Sequence, residues 1–194
     1  MIFFKKLFRQ TSSKEQDAKK EEVHLSLDDA FVHHFIEKGG KFLYYISKEE
    51  VLGNLRQILQ ETYWNQITCF NQELQKILRK MEVTITSELD LQFPFFTTCE
   101  HLISDNGDIL FSSNQLSTHK IASLTDNFIV FAKTSQLVKN TGEGLTGIKT
   151  NSKDHIPTNI SAIKNYSLQK IDEDFLNFDN SNSKNLYLLL LEDL

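Results

Sequence analysis

The stretch that decides the fold runs from Thr97 to Ala132 and reads TTCEHLISDNGDILFSSNQLSTHKIASLTDNFIVFA. It contains three short apolar runs, which are His101–Ser104, Ile109–Phe111 and Phe128–Ala132. Runs of this length bounded by turn residues are typical of buried strands. The first two flank the tetrapeptide Asp105-Asn106-Gly107-Asp108, and Asn-Gly is the strongest local signal for a tight hairpin turn, whose two central positions need positive φ. The sequence therefore predicts a β-hairpin with Asp105 and Asp108 on its turn.

The chain before this hairpin alternates between helical and extended patterns. We expect a first helix to begin near Leu27, to bury Phe31 and Phe35, and to end before Gly39-Gly40. Strand, helix, strand, helix and strand follow, with apolar residues at Phe42–Ile46, Val51–Leu59, Ile67–Phe70, Leu74–Met81 and Val83–Ile85. Ser47 and Glu50 form a capping box at the start of the second helix. This order predicts parallel pairing with right-handed crossovers.

The chain after Ala132 is predicted to return to the sheet twice. Ser135 can cap a helix through Leu137 and Val138, and a second helical piece includes Leu145 and Ile148, although glycines weaken it. The remaining predicted elements are a strand at Ile160–Ile163, a helix at Leu168–Phe175, a loop at Phe178–Lys184 and a strand at Leu186–Leu191. The last strand is apolar enough to lie inside the sheet.

The composition limits the class of protein. A chain of 194 residues suits one α/β domain, which we place at residues 23–194, and fifteen Phe predict a core rich in that residue. A net charge of −5 argues against a nucleic-acid partner. Cys69 and Cys99 lie far apart, which excludes an iron–sulfur or structural zinc framework built from this chain alone and fits a reducing compartment. We therefore expect no cofactor, no metal site and a cytoplasmic protein.

Residues 1–22 are predicted to be a tail that lacks enough apolar surface to pack. Two interpretations remain open for its first residues, Met1–Arg9. They are either a disordered leader or a short amphipathic segment that makes a weak membrane-surface contact, with its Phe residues in the interface and its basic residues against anionic headgroups.

Acidic residues on the hairpin turn are the first candidates for chemistry. Asp105 could act as a nucleophile or base if it were partly desolvated, with hydrogen bonds supplied by the Gly107 amide and by the hydroxyl of Ser112 or Ser113. The alternative is that Asp105 and Asp108 are there because Asp and Asn favour turns. Beyond the second strand, His119 and Lys120 could bind an anion, or they could be solvated loop charges.

The histidines and cysteines give weaker signals. Cys99 and His101 fall on the same face of a strand, which is the start of a metal site, but a hydrogen-bonded core His101 and a core thiol at Cys99 explain them as well. His33 and His34 are adjacent on a helix, where neighbouring side chains diverge by about 100°, so they cannot easily share a metal.

The hairpin also resembles the signature of the lactate-utilisation (LUD) domain family, in which a strand ending in Ala-Glu-Thr-Gly-Thr turns into a second apolar strand. Asp105 stands where the family has Glu, Gly107 where it has Gly, and Asn106 and Asp108 where it has the two Thr. Further similar segments are Ala122–Phe131, Gln136–Leu145, Ile156–Ile163 and Asn185–Leu191. The family's Arg aligns with His119 or Lys120, and Lys164–Leu168 replaces its Gly-Pro-Ser motif.

This resemblance implies a fold and a function. The fold is α/β, a three-layer α/β/α Rossmann-like domain similar to the sugar-isomerase and CoA-transferase-like fold. The catalytic candidate is Asp105, and the ligand-binding candidates are Asn106, Gly107, Asp108, Ser112, His119 and Lys120.

The function implied is that of an accessory or binding subunit in a bacterial lactate-oxidation system, with iron–sulfur and redox chemistry on partner proteins. The alternative is an enzyme that acts on an anionic acyl or phosphorylated small molecule through Asp105. A third hypothesis is that this divergent chain works at a membrane through its N-terminal segment.

Overall fold

The computed structural model describes residues 25–81, 83–152, 156–167 and 182–194. Its helices are α1 (Leu27–Glu37), α2 (Lys48–Glu61), α3 (Gln72–Leu78), α4 (Ser113–Leu116) and α5 (Thr141–Asn151). Its strands are β1 (Lys41–Tyr45), β2 (Gln66–Thr68), β3 (Thr84–Thr86), β4 (Phe95–Thr97), β5 (His101–Ile103), β6 (Asp108–Phe111), β7 (Asn127–Lys133), β8 (Leu137–Val138), β9 (Ser161–Ile163) and β10 (Asn185–Leu191). The predicted tail at residues 1–22 and the predicted helix at Leu168–Phe175 lie outside the described residues.

Six strands form a central sheet in the order β1-β10-β7-β4-β2-β3, and every neighbouring pair is parallel. The parallel pairing predicted from the alternation of strands and helices is confirmed. β10 lies between β1 and β7 and is buried along most of its length, as its unbroken apolar run predicts. Phe95–Thr97, which no sequence pattern marked as a strand, is a central strand whose three residues are all buried.

One face of this sheet is covered by α2 and α3. Ser47 caps α2 by accepting a hydrogen bond from the Glu50 amide, and the Glu50 carboxylate accepts one from the Ile46 amide. Leu55 and Leu78 on these helices pack, fully buried, with sheet residues such as Ile129 and Leu189. Because the apolar residues of α2 recur at helical spacing, only one side of it is buried.

The opposite face is covered by α1 and by a second sheet with the order β8-β5-β6-β9. Fully buried phenylalanines from both layers fill this core, among them Phe31, Phe35, Phe95, Phe111 and Phe128. The prediction of a phenylalanine-rich core is therefore confirmed.

The fold class is confirmed as α/β, with a parallel sheet between two covering layers in a three-layer, Rossmann-like arrangement. Strands as well as helices make up one of the covering layers, which was not predicted. Apart from the β5–β6 hairpin, the strands of that layer pair over long sequence distances, β8 with β5 and β9 with β6, so no local pattern indicates those pairings.

The hairpin is confirmed, since β5 and β6 pair antiparallel with Ile103 opposite Asp108. Its turn differs from the expected one. It has four residues, Ser104 to Gly107, and among them only Gly107 has a positive φ, of 71°. Asp108 is therefore the first residue of β6 and not a turn residue.

The predicted helix through Leu137 and Val138 is wrong. Thr134–Gln136 form one turn of 3-10 helix, and Leu137 and Val138 then pair in parallel with Leu102 and Ile103 as β8. The two residues form a strand because they pair with β5, which lies 35 residues earlier in the chain, and local propensity cannot predict such a distant partner.

The glycine-rich helix α5 forms in spite of its low propensity. Its two inward glycines allow close packing, because a Cβ at Gly144 would lie 2.9 Å from a Leu110 methyl group and one at Gly147 would lie 2.8 Å from His101 Nε2. Asn140 caps the helix by accepting a hydrogen bond from the Glu143 amide. Tertiary contact thus outweighs propensity here.

None of the helices described is long and apolar enough to cross a lipid bilayer.

Candidate functional site

The hairpin has two ends, and the candidate residues divide between them. We call Ser104 to Asp108 the turn end, and we call the cluster of Glu100, Ser112, His119 and Lys120 the exit end. Asp108 and Ser112 stand at opposite ends of β6. Four residue steps of about 3.4 Å each separate their Cα atoms by about 14 Å.

At the turn end, Asp108 is held by hydrogen bonds and an ion pair. Its Oδ1 accepts from Lys38 Nζ at 2.8 Å, and its Oδ2 accepts from Asn106 Nδ2 at 3.0 Å. The Asp108 amide in turn donates to Asn106 Oδ1 at 3.0 Å. Only 7% of the Asp108 side chain is exposed. This arrangement fixes the carboxylate as part of the turn and occupies both of its oxygens.

Gly107 brings the turn against the last turns of α1. A Cβ on Gly107 would lie 2.6 Å from the Phe35 nitrogen and 2.8 Å from the His34 carbonyl carbon. The buried Tyr166 hydroxyl donates to the Gly107 carbonyl at 2.6 Å. Burial, followed by the nearby Asp108 charge, raises the pKa of Tyr166 well above its usual range, so this phenol stays a donor.

Asp105 is different, because it is exposed. Its amide donates to the Lys139 carbonyl at 2.9 Å, which attaches the turn to the segment before α5. Within the part of the chain that the structure describes, its carboxylate has no hydrogen-bond or ion-pair partner. The group is therefore fixed at its backbone and open to solvent at its side chain.

At the exit end, Glu100 and Ser112 form a polar network. The fully buried Ser112 hydroxyl donates to Glu100 Oε1 at 2.5 Å, and Asn114 Nδ2 donates to the same oxygen at 2.9 Å. Ser112 is also the N-cap of α4, where its oxygen accepts from the Asn114 amide and its own amide donates to Gln115 Oε1. The hydroxyl thus has a capping role, and no histidine contacts it among the described residues.

His119 and Lys120 lie beyond α4. The His119 ring stacks on Phe70, with ring centres 5.5 Å apart, and its carbonyl accepts from Asn159 Nδ2 at 2.6 Å. His119 is half-buried, while Lys120 is exposed. The structure therefore places His119 and Lys120 at the exit end with Ser112 and not at the turn end with Asp105.

Cys99 and His101 lie at the start of the hairpin, where Gln136 contacts both. Gln136 Nε2 donates to the Cys99 carbonyl at 2.6 Å, and His101 Nδ1 lies 3.3 Å from the Gln136 carbonyl oxygen. Burial raises the pKa of the Cys99 thiol far above its usual range, and burial also raises the pKa of Cys69 to about 11. Both thiols are therefore buried, protonated core groups.

Neither the histidines of α1 nor the other residue types that bind metals form a further candidate site among the described residues. His34 Nδ1 lies 3.0 Å from the Ser104 carbonyl oxygen, which fixes the turn from the other side, while His33 is exposed. Within residues 25–81, 83–152, 156–167 and 182–194, no three metal-type side chains form a group that could hold an ion.

Three charged residues with partners distant in sequence were not singled out by sequence analysis, and one of them, Lys38, contacts a candidate site residue. Lys38 neutralises Asp108 from 70 residues away, and nothing in its local sequence indicates that pairing. Asp193 accepts hydrogen bonds from Ser135 and Thr134 beside the ends of β7 and β10, which lowers its pKa chiefly through the Ser135 amide. Lys184 is buried, donates to the Leu124 carbonyl at 3.0 Å, and has a pKa lowered by that burial.

Comparison with known proteins defines the class of this fold. No family model matches the chain, and no curated protein matches it. Among solved structures, it is similar to a DUF162 family protein from Deinococcus radiodurans, with a TM-score of 0.61 and 14% identity. The likeness covers 87% of this chain and 99% of the other. The chain therefore has the fold of that DUF162 protein, and at this identity the likeness concerns the fold alone.

Proposed function

We propose that the chain is a divergent LUD-domain protein that serves as an accessory or binding component of a lactate-oxidation system. The observation that carries this proposal is the likeness to the DUF162 protein, since that family is LUD-domain-like and the likeness spans 99% of the other chain. The LUD-like sequence signature falls on a real hairpin in this fold, with Gly107 in a left-handed conformation where the family also has Gly.

The geometry of the turn end supports a binding role. Asp108 is occupied by Lys38 and Asn106, whereas Asp105 presents an exposed carboxylate on a backbone that Lys139 holds in place. An exposed charge on a rigid turn suits contact with a partner protein. An acid–base or nucleophilic role would need desolvation and a neighbouring donor, and His119 and Lys120 lie at the other end of β6.

The state of the cysteines supports placing the redox chemistry on a partner. The chain has two cysteines, both are buried, and burial raises the pKa of each. Iron–sulfur clusters are held by cysteine thiolates, usually four for each cluster. A redox system that includes this chain would therefore take its cluster ligands from another subunit.

The test is affinity purification of the full-length chain, with a C-terminal tag, from its own source organism. We expect iron–sulfur or flavin subunits to co-purify in near-stoichiometric amounts, as mass spectrometry would detect. Charge reversal by Asp105→Arg should reduce that recovery, whereas reversal at the exposed Glu49 on α2, by Glu49→Arg, should not. Purification of the chain alone would overturn the accessory role.

A second measurement, the change in melting temperature on adding a ligand, distinguishes the enzyme hypothesis from the accessory role. Lactate and acetyl phosphate, as representative anionic acyl and phosphorylated ligands, should leave the melting temperature of the wild-type chain unchanged if the role is accessory. A rise that Asp105→Asn abolishes would instead support catalysis or ligand binding at Asp105. Asp105→Asn by itself should change the unfolding free energy by less than about 0.5 kcal/mol, because the side chain is exposed.

A further inference from the structure

A cleft of about 830 Å³ lies at the edge of the sheet where the parallel strands begin. Its walls are the C-terminal end of α2 and the residues that precede β2 and β3. The candidate residues of the hairpin do not line it. Its size falls within the range of pockets that bind small molecules.

The chemistry of the cleft combines positive charge with aromatic and apolar surface. Arg56 and Lys80 are exposed cations, Trp64 is half-buried, and the buried Leu59 and Met81 provide apolar surface. Among the described residues, which leave out Glu82, no acidic side chain lines the cleft and neither cation has a salt-bridge partner. Two unpaired cations beside an indole ring form a surface that suits an anion with a planar aromatic part.

Tyr63 is the second observation, because its conformation is costly and its side chain supports no core. It has a φ of 57° and is 91% exposed. The Tyr63 amide donates to the Gln60 carbonyl and the Trp64 amide donates to the Leu59 carbonyl, which is the Schellman ending of α2. That position favours Gly, and a bulky residue is strained there. A strained, exposed aromatic ring at the rim of a cleft is more useful for contact with a ligand than for folding.

We propose that this cleft binds a small anion that carries an aromatic ring, such as a nucleoside phosphate or an aryl carboxylate. Arg56 and Lys80 contact the anionic group, and Trp64 and Tyr63 pack against the ring. This inference goes beyond the proposed accessory role, because it uses none of the hairpin residues and does not depend on lactate oxidation.

The test uses Trp64, which is the single tryptophan of the chain and lies in the cleft. We expect AMP or 4-hydroxyphenylacetate to change its fluorescence saturably, with a Kd of about 1 mM or tighter. The stronger of the two identifies the anion as phosphate or carboxylate. Adenosine and inorganic phosphate, each of which has half of the chemistry, should bind at least about tenfold more weakly.

Two double variants test whether the ligand binds in the cleft. Arg56→Gln with Lys80→Gln should weaken the stronger ligand by about tenfold or more. Lys48→Gln with Lys149→Gln removes the same amount of charge from exposed positions outside the cleft and should have no effect. The proposal is overturned if neither aromatic anion gives a saturable change, if adenosine binds equally well, or if the two double variants behave alike.

Tyr63→Gly separates binding from folding. Because Gly favours the left-handed position, this variant should melt at a higher temperature than the wild type. It should nevertheless bind the aromatic anion several-fold more weakly, since the ring is lost. Unchanged affinity in this folded variant would remove Tyr63 from the site.

Discussion

The two ends of the hairpin differ in how tightly their polar groups are built into the fold. At the turn end, the Gly107 backbone touches α1, and Asp108 is paired with Lys38 at 2.8 Å. At the exit end, the Ser112 hydroxyl donates a hydrogen bond to Glu100. His119 is half-buried there, and Lys120 is exposed. Both ends carry polar residues of similar type, yet among the described residues only the turn end pairs one of its candidate charges with an opposite charge, since Asp108 forms an ion pair with Lys38.

This difference shows why residue type alone is a poor guide to function. Asp105 and Asp108 flank the same Asn-Gly pair, but one carboxylate is exposed while the other is nine-tenths buried. A buried carboxylate that already accepts two hydrogen bonds is unsuited to a new ligand unless those bonds break. The turn end should therefore be sensitive to mutation in stability, except at Asp105.

The largest effect is expected from Gly107→Ala. The new methyl group would lie 2.6 Å from the Phe35 nitrogen, and the residue would keep a φ of 71°. We expect a loss of about 3 kcal/mol in unfolding free energy, measured by urea denaturation. Gly53→Ala is the matched control, because a Cβ at Gly53 would meet no atom within 4 Å. It should stabilise the helix by about 0.5 to 1 kcal/mol, and equal effects of the two changes would contradict the close packing of the turn.

The next effect is expected from Lys38→Met, which keeps the aliphatic part of the side chain and removes its charge. Asp108 would then remain buried without its cation, and we expect a loss of about 2 kcal/mol. Combining it with Asp108→Asn in a double-mutant cycle should show a coupling of about 1 kcal/mol or more. Additive losses would mean that the ion pair contributes little to the turn end.

Ser112→Ala tests the exit end and should cost about 1 kcal/mol, because it removes the α4 cap and a partner of Glu100. Ser47→Ala removes the cap of the longer helix α2, where, among the described residues, the serine hydroxyl donates to no carboxylate. We expect the Ser112 change to cost more in thermal unfolding. The reverse order would indicate that Glu100 is readily solvated when its partner is lost.

The smallest effect is expected from Asp193. Its pKa is lowered in the folded chain, first by the Ser135 amide, so its contribution to stability is present above the unfolded pKa and is lost as the pH falls through the folded one. Asp193→Asn should cost no more than about 1 kcal/mol at neutral pH, since the Lys133 ammonium that faces the carboxylate is about half exposed and water screens the pair. The difference in unfolding free energy between the wild type and Asp193→Asn, measured by urea denaturation, should shrink as the pH is lowered to about 3. A difference that does not change with pH would contradict this linkage.

The local sequence predicted the structure correctly where interactions between residues close in the chain determine it. Asn106-Gly107 indicated the hairpin because a turn needs a residue that tolerates positive φ, and Gly107 has it. The apolar run Leu186–Leu191 indicated an interior strand because only a position between two strands buries both of its faces. The fold class followed from the alternation of such elements.

Long-range partners decided what local sequence did not. Leu137 and Val138 are a strand because Leu102 and Ile103 lie beside them, and α5 is stable because Gly144 and Gly147 let it approach β5 and β6. The separation of Asp105 from His119 follows from the length of β6 and from where the chain leaves it.

By itself, the sequence determined the α/β class, the hairpin and the buried last strand, because hydrophobic periodicity and glycine conformation act within a few residues. Only the tertiary structure decided that Asp108 is a structural ion pair, that Asp105 is exposed, and that Arg56, Lys80 and Trp64 share a cleft. The physical reason is that burial, pKa and charge pairing depend on neighbours that are distant in sequence, and Lys38 lies 70 residues from Asp108.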